Sequence, residues 1–457
     1  MLTAAVAFLA AGCKTLPQYQ FARTLPLSRS QHPVDVVSPD GMVSRAARLR
    51  MTRKLATTGD TSLLDYHLAA MQELGAPPLL TGNAVELLID GPSTYRAMFA
   101  AIERAHDYVF VESFIFEDAV EGERKLSVLL QEAATRGVRI HILYDAVGSL
   151  GTKKEFLDGL SGAGISLCVF NPINPFDDRF SSLNQRDHRK VVVVDGEVAF
   201  AGGMNFSRAY RLTSSQVRRR KLDEKAALES GWRDTHVGIR GTATTELERT
   251  FRESWQKAQC QGALPAFHDT AHRAGNTLVQ VVPSTPQDAT NVIYVTMLSV
   301  ITYAQRSIDI TMAYFVPDDA LEKAIMEAAK RGVRVRIILP SYSDFSGVFY
   351  AGRAHYDELL AAGVELYELK NAFLHSKSIV VDSVWSSIGS TNFDWRSFVH
   401  NDEISVCVID TAFAHEMDQT FARDLADSKQ ITVESWKKRG FKERFKELLW
   451  LPMQYWL

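Results

Sequence analysis

The sequence has few cysteines and no excess of either charge. Its 457 residues include four cysteines, and 51 Lys+Arg stand against 54 Asp+Glu, for a formal net charge of −3. The cysteines form no C-x-x-C pair, which excludes a zinc ribbon, and their wide spacing predicts no disulfide framework. The near balance of charge excludes a bulk positive field for nucleic acid, so any anion site must be local.

The histidines also lack the spacing of a metal site. All 12 are scattered without H-x3-H or H-E-x-x-H patterns, and no carboxylate cluster has the character of a magnesium site. We therefore expect neither a metal nor a cofactor. Hydrophobic residues make up 46% of the chain and charged residues 23%, which is ordinary globular composition. The length predicts two or three domains at about 150 residues each.

The chain begins with a short apolar run, MLTAAVAFLAAG. It is shorter than the ~20 residues that a membrane-spanning helix needs. The segment LAAGC resembles a bacterial lipobox, which would make residues 1–13 a lipoprotein signal and Cys13 an acylated N-terminus facing the periplasm. No Lys or Arg precedes the run, although secretory signals begin with positive charge. A frayed apolar N-terminus is therefore the alternative.

Two further segments near the ends differ in composition from the middle of the chain. Residues 14–78 are rich in Pro, Ser and Thr and then become helical in pattern, which predicts a tether followed by a helical lead-in. Residues 431–457 interleave Lys and Arg with Trp, Phe and Leu, as a helix at a lipid interface does. The alternative for this second segment is a terminal helix packed on the core with its charges in water.

The middle of the chain repeats itself. EAATRGVRIHILYD at 132–145 reappears as EAAKRGVRVRIILP at 327–340, and each copy has the pattern of a helix, a glycine stop and an alternating strand. We predict an α/β fold of two duplicated α/β sandwich domains with parallel or mixed sheets, packed as a pseudo-twofold pair. Domain 1 spans 79–260 and domain 2 spans 278–430, because 260–278 lacks apolar periodicity.

Each repeat carries the same polar motif, HRKVVVVDGEVAFAGGMN in the first and HSKSIVVDSVWSSIGSTN in the second. The shared positions are His188, Lys190, Asp195, Gly203 and Asn205 in one copy and His375, Lys377, Asp382, Ser390 and Asn392 in the other. Residues two apart on a strand share a face, so each histidine projects together with its lysine. One H-x-K at a strand end is common, but two matched copies favour a phosphodiester site.

The duplicated pattern H-x-K-x4-D-x6-G-[GS]-x-N resembles the signature of the phospholipase D superfamily. Flanking segments such as ESFIFED, AYFVPD and HNDEISV are similar to bacterial cardiolipin synthases, over roughly residues 82–435. The resemblance implies one metal-free active site shared by both motifs, in which one histidine attacks phosphorus and the other acts as general acid and base. By the usual order of roles in the family, the resemblance implies that His188 is the nucleophile and His375 the general acid and base. The sequence itself does not distinguish the two histidines.

The resemblance also implies roles for the other motif residues. Those expected to bind the phosphoryl oxygens are Lys190, Lys377, Asn205, Asn392, Ser390 and Gly203. The remaining pair, Asp195 and Asp382, is expected to organise hydrogen bonds at the ends of its strands.

A nucleophilic imidazole must present an unprotonated nitrogen, so a carboxylate should hold the other ring N–H. Asp234 and Glu403 follow the two motifs on matching strands. We expect Asp234 to hold His188 and Glu403 to hold His375.

The superfamily includes lipid synthases, phospholipases, nucleases and toxins, so the substrate is a separate question. The slightly acidic chain lacks nucleic-acid modules, and we expect no nucleic-acid partner. The resemblance implies a transphosphatidylase that makes cardiolipin from phosphatidylglycerol at a membrane surface of the bacterial cell envelope. The alternatives are a phospholipase D-type hydrolase, a metal-independent nuclease and a catalytically inactive, membrane-tethered binding protein.

Overall fold

The computed structural model describes residues 16, 35–56, 62–173, 184–267, 272–288 and 290–456. Cys13 and the expected lipoprotein signal lie outside these residues, as does much of the expected tether. Within the described ranges, no helix combines the length and apolar character that crossing a bilayer requires.

The strands of the first half are β1 (Val36–Ser38), β2 (Gly41–Met42), β3 (Leu79–Ile89), β4 (Tyr108–Ser113), β5 (Val120–Glu121), β6 (Arg124–Lys125), β7 (Arg139–Asp145), β8 (Ser166–Phe170), β9 (Arg186–Asp187), β10 (Val191–Val194), β11 (Val198–Gly202), β12 (Trp232–Arg233) and β13 (Thr235–Arg240). Those of the second half are β14 (Thr277–Ser284), β15 (Ser307–Met312), β16 (Arg334–Pro340), β17 (Glu365–Leu369), β18 (Phe373–Leu374), β19 (Lys377–Val381), β20 (Trp385–Gly389), β21 (Asn401–Ile409) and β22 (Ser428–Ile431).

The α-helices of the lead-in and the first half span Arg45–Ala56, Ser62–Glu73, Asp90–Arg104, Leu126–Thr135, Lys154–Gly162, Ser214–Arg220, Glu224–Ser230 and Ala243–Lys257. The α-helices of the second half and the C-terminal segment span Val292–Tyr303, Asp319–Lys330, Ser346–Arg353, Tyr356–Ala361, Trp395–Val399, Thr411–Ala426, Val433–Lys437 and Phe441–Trp450. Short 3₁₀ helices cover Arg208–Tyr210 and Leu451–Trp456.

The two halves contain the same mixed sheet. In the first, β4, β7 and β8 run parallel, while β10, β11, β13 and β3 continue antiparallel beyond β4. In the second, β15, β16 and β17 run parallel, while β19, β20, β21 and β14 continue antiparallel beyond β15. Apolar runs such as Val191–Val194 are buried throughout, as expected where helices cover both sheet faces. The predicted duplicated α/β fold is confirmed.

The halves are joined by strands that cross between them. The start of β3 pairs with β14, so β3 belongs to both sheets. Two very short parallel pairs also cross: β9 of the first half lies beside the start of β21, and β12 lies beside β18 of the second half. These two strand pairs bring the polar motifs of both halves to the contact between the halves.

The lead-in helix Ser62–Glu73 packs on the second half rather than the first. Its apolar face buries Leu63, Leu68 and Met71 in the core that contains the helix Val292–Tyr303. This part of the chain is therefore folded onto domain 2, although it precedes domain 1 in sequence.

One expectation about the cysteines is wrong, because Cys168 and Cys260 form a disulfide. Cys168 lies on β8, at the edge of the first sheet, and Cys260 follows the helix Ala243–Lys257. The fold brings their Cα atoms to 5.6 Å although 92 residues separate them. Spacing along the chain could not indicate a pair that depends on where a helix returns to a sheet edge. Cys407 is a buried free thiol.

Candidate active site

Each motif histidine is held in place by the backbone of the opposite half. His188 follows β9, and its N–H donates to the carbonyl of Asp402 at 2.9 Å. His375 follows β18, and its N–H donates to the carbonyl of Arg233 at 2.8 Å. The two crossing strand pairs therefore bring both imidazoles to the contact between the domains.

The carboxylates are paired with the histidines in the opposite way to our expectation. Nδ1 of His188 lies 3.0 and 3.1 Å from the two carboxylate oxygens of Glu403. Nδ1 of His375 lies 2.8 Å from Oδ2 of Asp234. Each imidazole is thus oriented by an acid of the other half, and Nε2 of each ring is the nitrogen left for chemistry.

The crossing strands explain this exchange of partners. Asp234 comes directly after β12, which pairs with β18, and β18 leads into His375. Glu403 lies near the start of β21, which pairs with β9, and β9 leads into His188. Because the strands cross between halves, the acid that follows one motif in sequence meets the histidine of the other.

Burial lowers the pKa values of both imidazoles. Burial, opposed by Glu403 and reinforced by Lys190, lowers the pKa of His188 to about 4. Burial, with Lys377, Lys190 and His188 nearby, holds the pKa of His375 well below its usual range. Both rings are therefore neutral at pH 7 in the free protein. His188 acts on the titration of His375, as expected for two halves of one site.

The pKa values of the two carboxylic acids, Glu403 and Asp234, are shifted in opposite directions. Burial would raise the pKa of Glu403, but the charge and hydrogen bonds of His188, with further contributions from Lys190 and Ser390, lower it to about 2. Burial raises the pKa of Asp234, although Lys377 opposes the shift. Glu403 is therefore firmly ionised beside His188, and the structure breaks a symmetry that the sequence left intact.

The motif lysines are buried and face the same polar centre. Lys190 and Lys377 each donate from Nζ to the carbonyl of their own motif histidine. Burial lowers the pKa of Lys190 to about 7 and of Lys377 to about 8, despite the neighbouring carboxylates. A bound phosphate anion would reverse this shift, because a negative charge stabilises the ammonium form.

Ser390 and Gly203 do not serve as the donors we expected. The hydroxyl of Ser390 donates to Glu403, and its backbone N–H donates to the carbonyl of Ile404. The N–H of Gly203 donates to the carbonyl of Thr235, and a Cβ at this glycine would lie 2.1 Å from the Asp234 carboxylate. Ser390 holds the carboxylate of Glu403, Gly203 leaves room for that of Asp234, and neither presents a spare donor to a phosphate.

Tyr210 is a site residue that sequence reasoning missed. Its hydroxyl lies 3.1 Å from Oδ2 of Asp234 and 3.1 Å from Nδ1 of His375. It donates to Asp234, as Ser390 donates to Glu403 on the other side. Tyr210 lies in the insertion after Asn205, which has no counterpart in the second repeat, so the duplication gave no signal for it.

Asn205 and Asn392 are both buried. Oδ1 of Asn205 accepts from the N–H of Ile115 at 3.0 Å, which turns the amide nitrogen of Asn205 away from that N–H. Their binding of phosphoryl oxygens stays a prediction.

Asp195 and Asp382 organise the fold and do not face the histidines. Asp195 accepts from the N–H groups of His106, Asp107 and Tyr108 at 2.8–3.0 Å. Asp382 accepts from those of Gln305, Arg306 and Ser307 at 2.7–2.9 Å. Each carboxylate thus ties the turn after one strand to the beginning of β4 or β15.

Aromatic rings lie next to both motif histidines. Phe114 lies edge-on to His188 with ring centroids 5.1 Å apart, and Trp232 lies 4.6 Å from His375. Tyr314 stands edge-on to His375 at 6.4 Å. Across the described ranges, no three His, Cys, Asp or Glu side chains group in a way that could hold a metal ion.

Comparison with known proteins gives the family. The family model described as cardiolipin synthase, PLD-like domain matches residues 98–215 and 297–425, one segment in each half. The chain belongs to the cardiolipin synthase family. It is a phosphatidyltransferase of the phospholipase D superfamily, and the predicted resemblance is confirmed.

Curated relatives and solved structures agree with this family. Cardiolipin synthase A of Pseudomonas entomophila (strain L48) is 37% identical over 80% of this chain and 74% of its own length. Cardiolipin synthase A of Pseudomonas aeruginosa (strain LESB58) is 36% identical over 80% of this chain and 72% of its own length. The phosphatidylserine synthase of Haemophilus influenzae Rd KW20 shares the fold, with a TM-score of 0.59 and 14% identity over 84% of this chain and 98% of that chain.

The lysine pKa values predict the alkaline limit of this cardiolipin synthase family member. A lysine whose pKa is lowered to about 7 or about 8 loses its charge as the pH rises through that range. We therefore expect kcat/KM, which reports the free enzyme, to fall as the pH rises through about 7 to 8, because the substrate anion loses its cationic partners. A pH series with a soluble short-chain phospholipid measures this limb. A kcat/KM that stays level to pH 10 would contradict the assignment.

Proposed function

We propose that the enzyme transfers a phosphatidyl group from one phosphatidylglycerol molecule to another, forming cardiolipin and releasing glycerol through a covalent phosphohistidine. The observation that carries this proposal is the convergence of two neutral imidazoles from separate halves, each with Nδ1 held by a carboxylate and accompanied by a buried lysine. Membership of the cardiolipin synthase family supports the choice of reaction.

In the first step, Nε2 of His188 attacks the phosphorus of phosphatidylglycerol. A P–N bond forms, the bond from phosphorus to the glycerol headgroup oxygen breaks, and His375 gives its Nε2 proton to the leaving oxygen. When the phosphodiester binds, it brings a further negative charge close to His375. This anion raises the imidazole pKa and allows His375 to carry the proton.

The assignment of His188 as nucleophile rests on Glu403. An imidazole that bonds to phosphorus gains positive charge, which an ionised carboxylate at Nδ1 stabilises. Glu403, with a pKa near 2, meets this need at neutral pH. The partner of His375 is Asp234, whose pKa is raised by burial, and the His375 ring itself lies against the ring of Trp232.

In the second step, a headgroup hydroxyl of another phosphatidylglycerol gives its proton to Nε2 of His375. Its oxygen attacks the phosphorus, the P–N bond breaks and His188 is released neutral. Lys190 and Lys377 hold the phosphoryl oxygens in both steps, where their positive charge offsets the charge that develops in the transition state. Asn205 and Asn392 are proposed to add amide donors to the same oxygens.

We place the enzyme at a membrane surface of the bacterial cell envelope, facing the periplasm. The Cys168–Cys260 disulfide supports this location, because such bonds persist in oxidising compartments and are rare in the cytosol. Acylation of Cys13 stays part of the proposal as a lipid anchor.

The test is product analysis with radiolabelled phosphatidylglycerol in vesicles. Cardiolipin and glycerol should appear in equal amounts with the wild type, and both should form about 10²–10⁴-fold more slowly with a His375→Gln variant. Phosphatidic acid in place of cardiolipin would overturn the transferase and make the enzyme a hydrolase. A host strain without its own cardiolipin provides the same comparison in cells.

The crossed carboxylates give a second prediction. Replacing Glu403 by Gln should slow phosphoenzyme formation by about 10–100-fold, because the carboxylate that stabilises His188 is removed. The matched variant Asp234→Asn should leave this step nearly unchanged when the leaving group is a nitrophenolate, which needs no proton. Rapid-quench labelling of both variants measures the difference. If Asp234→Asn slows labelling and Glu403→Gln does not, the roles are reversed.

A further inference from the structure

The helix Phe441–Trp450 has its apolar side turned outward. Phe441 is 82% exposed, Leu448 70%, Leu449 57% and Phe445 56%. They lie at positions i, i+4, i+7 and i+8, which share one face of a helix. A soluble protein rarely leaves four large apolar side chains together in water, so such a face marks a contact with an apolar partner.

The inward side of the same helix is charged. Glu447 is its one buried side chain and is 3% exposed. Its carboxylate lies 3.0 Å from Nε of Arg439 and 3.8 Å from Nε of Arg353. Both guanidinium groups stack on the ring of Trp436. An ion pair therefore fixes the orientation of the helix, and the apolar side is held away from the protein.

This helix is connected to the wall of the active site. Lys446 donates to the hydroxyl of Tyr350 at 3.0 Å, on the helix Ser346–Arg353. That helix is preceded by Phe345, which is 47% exposed, and by Asp344, which accepts from the hydroxyl of Tyr314 at 2.7 Å. Since the ring of Tyr314 contacts that of His375, a chain of contacts connects the C-terminal helix, through the exposed Phe345 segment, to one catalytic histidine.

The first half also exposes apolar side chains in the loop that corresponds to the Phe345 segment of the second half. The loop after β7, which corresponds to the loop after β16, exposes Leu150 at 69% and Val147 at 39%. Gly148 in this loop packs so closely on the backbone of Phe114 that a Cβ there would lie 2.2 Å from its carbonyl oxygen. Phe114 contacts the ring of His188. Each histidine is thus close to a loop that presents apolar side chains to the outside.

We propose that these residues form a docking face that rests on an anionic lipid bilayer and holds the site at the headgroup level. The docking face consists of Phe441, Phe445, Leu448, Leu449, Phe345, Leu150 and Val147. Exposed basic side chains of the C-terminal helix, Lys442, Arg444 and Lys446, outnumber its one exposed carboxylate, that of Glu443. Apolar insertion beside basic residues is the pattern of an interfacial helix. The inference names the surface partner of the proposed function and rests on it.

The test is sedimentation with sucrose-loaded vesicles of phosphatidylglycerol and phosphatidylethanolamine. A Phe445→Ser, Leu448→Ser double variant should bind about 100-fold more weakly than the wild type, because two inserted side chains are lost. Binding of the wild type should weaken in phosphatidylcholine vesicles and in high salt. Turnover of soluble dihexanoyl-phosphatidylglycerol should stay at the wild-type level in the variant, since both substitutions lie outside the catalytic machinery.

Met42→Ser is the matched control, because Met42 is 62% exposed and lies on the β1–β2 hairpin. Equal vesicle binding by the double variant and the wild type would overturn the docking face, and retained turnover of the soluble lipid would leave the proposed reaction standing. A self-association that the double substitution abolishes, with vesicle binding intact, would show that the face binds a second copy and would also overturn it. If the wild-type enzyme does not turn over the soluble lipid, the result contradicts the proposed reaction and not the docking face.

Discussion

Replacement of His188 by glutamine is expected to lower cardiolipin formation by at least about 10⁴-fold, as loss of a residue that acts within a catalytic unit does in other enzymes. The amide of glutamine has no nucleophilic nitrogen, so no covalent intermediate can form. The side chain is of similar length and remains close to Glu403, so the unfolding transition should change little. Product formation from labelled phosphatidylglycerol measures the rate, and circular dichroism checks the fold.

The matched control is His415→Gln. His415 lies on the exposed side of the helix Thr411–Ala426, and its replacement should leave turnover unchanged. A His188→Gln variant that retains a tenth of wild-type activity would show that another group attacks phosphorus.

Replacement of His375 by glutamine should separate the two steps. With phosphatidylglycerol the rate is expected to fall by about 10²–10⁴-fold, because the leaving alkoxide no longer receives a proton. With a nitrophenyl ester of phosphatidic acid, the leaving group needs no proton, and release of nitrophenolate should proceed for one turnover. The phosphoenzyme should then persist, because no base remains to activate the incoming hydroxyl.

Mass spectrometry of the quenched His375→Gln protein locates the adduct. We expect the adduct on the peptide that contains His188, with one phosphatidyl group for each chain. The same experiment on His188→Gln should give neither a burst nor an adduct. A burst in His188→Gln and none in His375→Gln would exchange the two roles, without changing the reaction as a whole.

The fold and the main constituents of the site could be predicted from sequence because the chain is duplicated. The repeat of helix, glycine and strand at 132–145 and 327–340 indicated two sandwiches, and the matched motifs indicated His188 and His375. Asp234 and Glu403 could also be predicted as partners of the histidines, since they follow the two motifs at corresponding positions. These signals are local in each half, and a repeat shows them twice.

The pairing of acid with histidine could not be predicted in this way. It depends on β9 lying beside β21 and β12 beside β18, and these pairs connect residues far apart in the chain. Each pair is only two residues long, too short to leave a pattern of its own. A duplicated sequence is equally compatible with acids that serve their own half and acids that serve the other half.

Other differences have the same origin in tertiary contact. Ser390 and Gly203 match in the alignment of the two motifs, yet one donates to an acid and the other makes room for one. Tyr210 donates to Asp234 as Ser390 donates to Glu403, but it lies in an insertion that the second repeat lacks. The Cys168–Cys260 bond depends on a helix that returns to the sheet edge.

The central claim is that two imidazoles, one from each half, act on a single phosphorus atom. A crystal structure with orthovanadate, which mimics phosphorus in the transition state, tests it most directly. We expect vanadium to be bonded to Nε2 of His188, with Nε2 of His375 within hydrogen-bond distance of the opposite axial oxygen and both lysines on the equatorial oxygens. Vanadate bound at one histidine alone, with the second ring turned away from it, would contradict the account.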